Sequence, residues 1–228
     1  RSTGKKASIR SDQWYASAVI VDPELTLSLP PSVTAHSGMD AICQALEAYT
    51  SRGSWPLTDA VAEGAFLLLA SNILGAYREG SRLEFREAMS IGSLMAGIAL
   101  ANARLGAVHG LAHPVGVRCA KPHGLVCAVL LPYVMEYNSR HEPTALKYSR
   151  LFSLLCLEGR TSSYAGSWSG SSLIDLVRHL NDQLGIPATL GEIGVRPEWS
   201  SEIAQEALSS GSTRANPLEL RKPDLEAI

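Results

Sequence analysis

The sequence predicts a mainly α-helical fold with one β-strand at its N-terminal edge, on three observations. From Pro31 onward, apolar residues recur at three- and four-residue steps, the spacing that lines one face of an α-helix. Only one short run, residues 16–21, has the β-branched character of a strand, and Asp22-Pro23 closes it. The 228 residues are 46% hydrophobic and 18% charged, apolar enough to build a core and too poor in charge for disorder. At about 150 residues per domain, that length allows one large domain or two small ones.

Residues 1–15 are polar and basic, with Gly4-Lys5-Lys6 as a turn. Residues 16–21 then read as one buried strand. A lone strand cannot satisfy its own backbone groups, so it is expected to pair with strands from outside the chain or from sequence that once preceded it. The start at Arg1, rather than Met, gives the chain the look of the middle of a protein. Ser28-Leu29-Pro30-Pro31 breaks the chain, and Pro31 suits the first turn of a helix. Residues 39–50 place Ile42, Ala45, Leu46 and Tyr49 on one helical face. Thr58 or Asp59 is expected to cap the next helix, whose stripe runs through Val61, Phe66, Leu69 and Ile73.

Residues 83–105 form another helix, with Met89, Leu94 and the small Gly97, Ala99 and Ala101 that permit close contact. Residues 106–116 and 122–137 are two further apolar stretches. Residues 144–155 and 173–184 complete the helical set, and Gly185-Ile186-Pro187 stops the last of them. Residues 159–172 are dense in Ser and Gly and read as a surface loop. The expectation is therefore one strand and seven or eight helices, without an internal repeat.

Composition excludes several functions. Lys and Arg number 20 against 22 Asp and Glu, a net charge of −2, which offers no basic field for nucleic acid. The longest apolar runs, residues 65–70 and 126–131, fall short of the roughly 20 residues a bilayer span needs, so no membrane span is expected. The four cysteines, Cys43, Cys119, Cys127 and Cys156, show no C-x-x-C spacing and read as buried or inert thiols of a reduced, cytoplasmic protein. The first apolar stretch is too short for a signal peptide.

Three places carry chemistry. Asp40, Gln44 and Glu47 share one helical face with apolar neighbours, where charge is costly unless it is paired or bound to a metal. His109 and His113 stand four apart, hence on one face of a helix. His123 enters the next helix behind Lys121-Pro122. A carboxylate with two or three imidazoles from separate helices suits Zn²⁺ or Fe²⁺. A single histidine is more often a satisfied core or cap residue. Three of the six histidines within fifteen residues, in an apolar and Gly-rich frame, bring the metal and structural readings level.

These residues also fall into two long motifs in order. Val19-Ile20-Val21-Asp22-Pro23-Glu24, Leu29-Pro30-Pro31, Gly38-Met39-Asp40-Ala41 and Glu47 resemble the first signature of the iron-containing (group III) alcohol dehydrogenases. His109-Gly110-Leu111-Ala112-His113-Pro114, with Gly106 before it and Pro122-His123-Gly124 after it, resembles the second. Leu131-Pro132, Tyr137-Asn138 and Gly185-Ile186-Pro187 extend the likeness to nearly the whole chain.

The resemblance implies a dehydroquinate synthase-like fold, with an α/β domain that binds NAD or NADP and a helical domain that holds a divalent metal. Residues 1–30 would be the last strand and linker of the nucleotide domain, and residues 31–228 the helical metal-binding domain. Asp40, His109 and His123 match three metal ligands. His113 matches the histidine near the nicotinamide that is associated with proton relay. Lys6 and Leu29 match positions near the cofactor. A small alcohol or aldehyde substrate and a homodimer are implied as well.

Two departures stand out. The family's second ligand is a histidine four residues after the Asp, and this chain has Gln44 there, a neutral and weaker donor carried as a fourth ligand or an outer contact. No G-x-G-x-x-G or equivalent phosphate-binding turn precedes the predicted strand. The readings weighed are therefore the metal-binding part of an alcohol dehydrogenase, a relative acting on keto acids or polyols, and a non-catalytic helical module that keeps the fold without a dinucleotide site.

Overall fold

The structure, a computed structural model, describes residues 11–14, 16–157 and 170–228. Lys6 and most of the Ser- and Gly-rich stretch at 159–172 lie outside the described residues.

Ten helices follow one another among the described residues: α1 Pro31–Thr50, α2 Pro56–Arg78, α3 Leu83–Ala103, α4 Ala107–Cys119, α5 His123–Asn138, α6 Glu142–Leu157, α7 Leu173–Gln183, α8 Ser200–Leu208, α9 Gly211–Arg214 and α10 Lys222–Ala227. The helical class is as the periodicity predicts. The strand is not. Residues 16–21 carry no strand pairing and lie at the surface, with Ile20 91% exposed. Its β-branched residues favour extended backbone, but no described segment offers a ladder, so the run forms neither a strand nor part of the core.

Helix α1 starts at Pro31, whose missing N–H is no loss in a first turn. It is the central helix, burying Met39, Ile42, Cys43, Leu46 and Tyr49 against α2, α3 and α5. Helix α2 is capped at Trp55, three residues before Thr58 and four before Asp59, the expected caps. Pro56 takes the first helical position, and Thr58 Oγ1 accepts a hydrogen bond from the Trp55 N–H at 2.9 Å. Phe66, Leu69 and Ile73 are fully buried, as their spacing predicts. By length and composition α2 could cross a bilayer, a property the short-run reading missed; here its apolar face packs on α1 and α3.

Helices α3 and α4 meet at a 105° bend through residues 104–106. The turn places Arg104 at φ 74°, a left-handed conformation costly for a residue with a side chain. Ala120, left-handed as well, ends α4, and Pro122 opens α5, so the two helices fold back on each other. The short helices α8, α9 and α10 lie beyond the Gly185 stop, where the periodicity gave no expectation. Helices α8 and α9 pack on α4, and Arg118 of α4 pairs with Glu202 and Glu206 of α8.

Candidate metal centre

Three helices bring their polar residues to one point. Asp40 lies in the middle of α1, His109 in the first turn of α4, and His123 is the first residue of α5. The approach of α5 to α1 depends on Gly124. A Cβ there would run into the His36 carbonyl oxygen and lie 3.3 Å from the Asp40 Cβ.

The distances are short. His109 Nε2 lies 3.3 Å from Asp40 Oδ1, and His123 Nε2 lies 4.0 Å from the same oxygen. The His109 and His123 rings are 5.4 Å apart, centre to centre. One donor atom from each of Asp40, His109, His123 and Cys127 falls within 4.8 Å of all the others. Asp40 Oδ1 and His109 Nε2 are both buried, and neither has a hydrogen-bond partner. A buried lone pair without a partner costs about 1–3 kcal/mol, which a bound cation would remove. The carboxylate and imidazole donors fit the divalent metal that the sequence points to.

Glu47 fixes how His109 is presented. Its Oε2 lies 2.7 Å from His109 Nδ1, and its Oε1 accepts the Val108 backbone N–H at 2.7 Å. An ionised carboxylate only accepts, so the Nδ1 proton faces Glu47 and Nε2 faces Asp40. Val108 belongs to the first turn of α4, where the helix dipole favours a negative charge. The neighbouring Ala107 N–H is taken by Asn216 Oδ1 at 3.2 Å. Gly106 is required beside this carboxylate, because a Cβ would stand 2.8 Å from Glu47 Oε1.

Burial disfavours charge on His109, but the Asp40 and Glu47 carboxylates outweigh it and hold its pKa well above the ordinary imidazole value. Burial alone would raise the Asp40 carboxyl; His109 and His123 more than offset this and hold it below the usual carboxylate value. The field that attracts a proton to this point attracts a metal cation equally. Cys127 is brought down to about 7, chiefly by a hydrogen bond with Cys43, against the effect of burial and with help from His123. Burial pushes the Cys43 thiol well above its usual value.

The remaining predicted residues sit around this point. His113 is half-buried one turn beyond His109, its ring edge-on to His123 at 5.3 Å. Gln44 is half-buried one turn beyond Asp40. Leu29 lines a cleft of about 490 Å³ with Asp22, Gly38 and Arg86, and its carbonyl accepts from Arg86 Nη2 at 3.3 Å. Sequence reasoning missed Cys127 as a member of the cluster. Its signal was available: it stands four residues after His123, hence on the same face of α5.

The profile of the Fe-containing alcohol dehydrogenase family, C-terminal, matches residues 34–228. The chain belongs to the iron-containing alcohol dehydrogenase family. Among its relatives in that family are the NADPH-dependent butanol dehydrogenase of Clostridium saccharobutylicum, 36% identical over 92% of this chain and 53% of the relative, and the 1,3-propanediol dehydrogenase of Klebsiella pneumoniae, 36% identical over 93% and 54%. The crystal structure of a 1,3-propanediol oxidoreductase superposes with a TM-score of 0.76 at 35% identity, covering 90% of this chain and 53% of that one. The chain thus spans about half the length of the iron-containing alcohol dehydrogenases it matches.

Proposed function

We propose that this chain is the metal-binding part of an NAD(P)-dependent dehydrogenase that interconverts a small alcohol with its aldehyde or ketone. The observation that carries this is the convergence of Asp40, His109 and His123 on one point with two buried donor atoms unpartnered. The names of the relatives, a butanol and a propanediol dehydrogenase, support the substrate class.

In this reading Asp40, His109 and His123 hold the divalent metal, with Gln44 as a weak further contact. When bound, the metal supplies Lewis acidity toward the substrate oxygen. Glu47 keeps the proton of His109 on Nδ1 and so keeps Nε2 turned inward. His113 takes the alcohol proton on its imidazole and passes it outward, since it is half-buried beside His123. Hydride transfer to the nicotinamide belongs to the cofactor. Leu29 on the cleft, and Lys6, are assigned to cofactor contact. The four free cysteines are in keeping with a reducing, cytoplasmic setting, and a homodimer completes the reading.

Metal analysis after equilibrium dialysis tests the assignment. Wild-type protein is expected to retain about one Zn²⁺ or Fe²⁺ per chain, and His109→Ala none. Stoichiometric metal in His109→Ala would overturn it. Gln44 favours one second reading, a helical module that binds metal weakly and turns over no alcohol. Metal retention with no NAD(P)-linked alcohol oxidation in the whole protein would select that one.

A further inference from the structure

We infer that Cys127 is the fourth ligand of the centre, a thiolate that completes an Asp-His-His-Cys donor set. The inference deepens the proposed function and rests on its metal site. Cys127 is buried on α5, one turn beyond His123, and its Sγ lies 3.5 Å from His123 Nε2.

In a tetrahedral Zn²⁺ site, bond lengths of about 2.0–2.1 Å to nitrogen and oxygen and 2.3 Å to sulfur put donors about 3.3 Å apart, or about 3.6 Å where one is sulfur. The observed separations are 3.3 Å for His109 to Asp40, 3.5 Å for Cys127 to His123 and 4.0 Å for His123 to Asp40. The other three pairs lie within 4.8 Å, so the set closes by a contraction of at most about 1.5 Å in any pair. The second observation is His109 itself, 6% exposed, whose unpartnered Nε2 points into the same space.

Donor strength favours the thiolate over Gln44, because an anionic sulfur is a stronger ligand for Zn²⁺ than a neutral amide oxygen. Binding then displaces the Cys127 thiol proton to solvent as the S–metal bond forms. Cys43 is not an equivalent candidate. Its Sγ lies 3.9 Å from His109 Nδ1, the nitrogen whose proton faces Glu47, so it stands behind the ring. A softer, sulfur-containing set shifts the preference toward Zn²⁺ and away from Fe²⁺ and Mn²⁺.

Cobalt substitution tests this in the whole chain. With CoCl₂, a thiolate ligand gives an intense near-ultraviolet charge-transfer band that nitrogen and oxygen donors do not. Wild type is expected to show the band, Cys43→Ser to keep it and Cys127→Ser to lose it. Competition with Zn²⁺ should show an affinity loss of at least about 10-fold in Cys127→Ser. Cys127→Asp, which restores an anionic oxygen donor, should bind Co²⁺ without the band and so separates loss of the ligand from loss of the fold. Co²⁺ bound by wild type without the band, or a band surviving in Cys127→Ser, overturns the Cys127 assignment and leaves the metal site standing. Absence of any Co²⁺ binding by wild type overturns both.

Discussion

Two regions of this molecule break the ordinary rule of burial, in opposite directions. Where α1, α4 and α5 meet, carboxylate, imidazole and thiol groups are buried or half-buried, two of their atoms out of reach of water and unpartnered. Along the outer face of α3, Ile91, Leu94 and Ile98 are exposed, and the irregular run at residues 16–21 adds Val19 and Ile20. The energetic consequences differ. An exposed isoleucine meets water in the folded and the unfolded chain alike, so folding neither gains nor loses by it. A buried donor atom has given up water and must recover that cost from a partner. Sensitivity to mutation should therefore be concentrated at the first region.

The largest effect is expected from Gly124→Ala. The atom in the way is the backbone carbonyl of His36, inside α1, which cannot swing aside as a side chain would. The start of α5 must retreat and take His123 away from Asp40. Stability should fall by an amount near the top of the roughly 1–3 kcal/mol usual for overpacking. Zn²⁺ affinity should fall on the order of 100-fold. Urea denaturation and Zn²⁺ titration read the two quantities. Wild-type values in both would mean that α5 is not pinned against α1 at this point.

How much of this was legible depends on what each residue needed in order to be recognised. Asp40, His109 and His123 are polar residues in apolar helical frames, and that contrast is visible in one dimension. Cys127 was not recognised because a lone cysteine in an apolar run behaves as a small hydrophobe. Only its place one turn beyond His123 sets it apart. Glu47 was legible as a face-mate of Asp40, but its task depends on Val108 and His109, each more than 60 residues away. Residues 16–21 misled for the converse reason. Their local preference for extended backbone is real, and a strand also needs a neighbour. The start of α2 was displaced because Pro56 fixes a helical φ before Thr58 can serve as cap. Helices α8, α9 and α10 were missed because they are too short to show a period, yet α8 supplies the carboxylates that hold α4, and Asn216 stands two residues after α9.

Glu47→Gln sharpens the comparison, because it keeps shape and removes only one acceptor. Both carboxylate oxygens accept, from Val108 N–H and from His109 Nδ1–H. An amide offers one oxygen, so one of these donors would face an NH₂ group. The expected loss is about 1–3 kcal/mol of stability in thermal or urea unfolding. Zn²⁺ affinity should weaken by about 10–100-fold as His109 loses its orientation. Unchanged affinity would show that Nε2 is held inward by packing alone.

The smallest effect is expected at the apolar region, and it tests the other half of the comparison. Ile98 is 48% exposed, on a helix whose opposite face carries Ala96, Ala99 and Ala103 into the core. Ile98→Lys replaces a β-branched residue by a good helix former with a longer aliphatic stem. Removing half-exposed methyl groups costs little, and the better helix propensity returns a few tenths of a kcal/mol. The net change should stay within about 0.5 kcal/mol, with metal content unaltered. A loss of more than about 1 kcal/mol in unfolding would mean that this face carries stability in the folded protein, as the buried cluster does. The two regions would then differ in polarity alone and no longer in consequence.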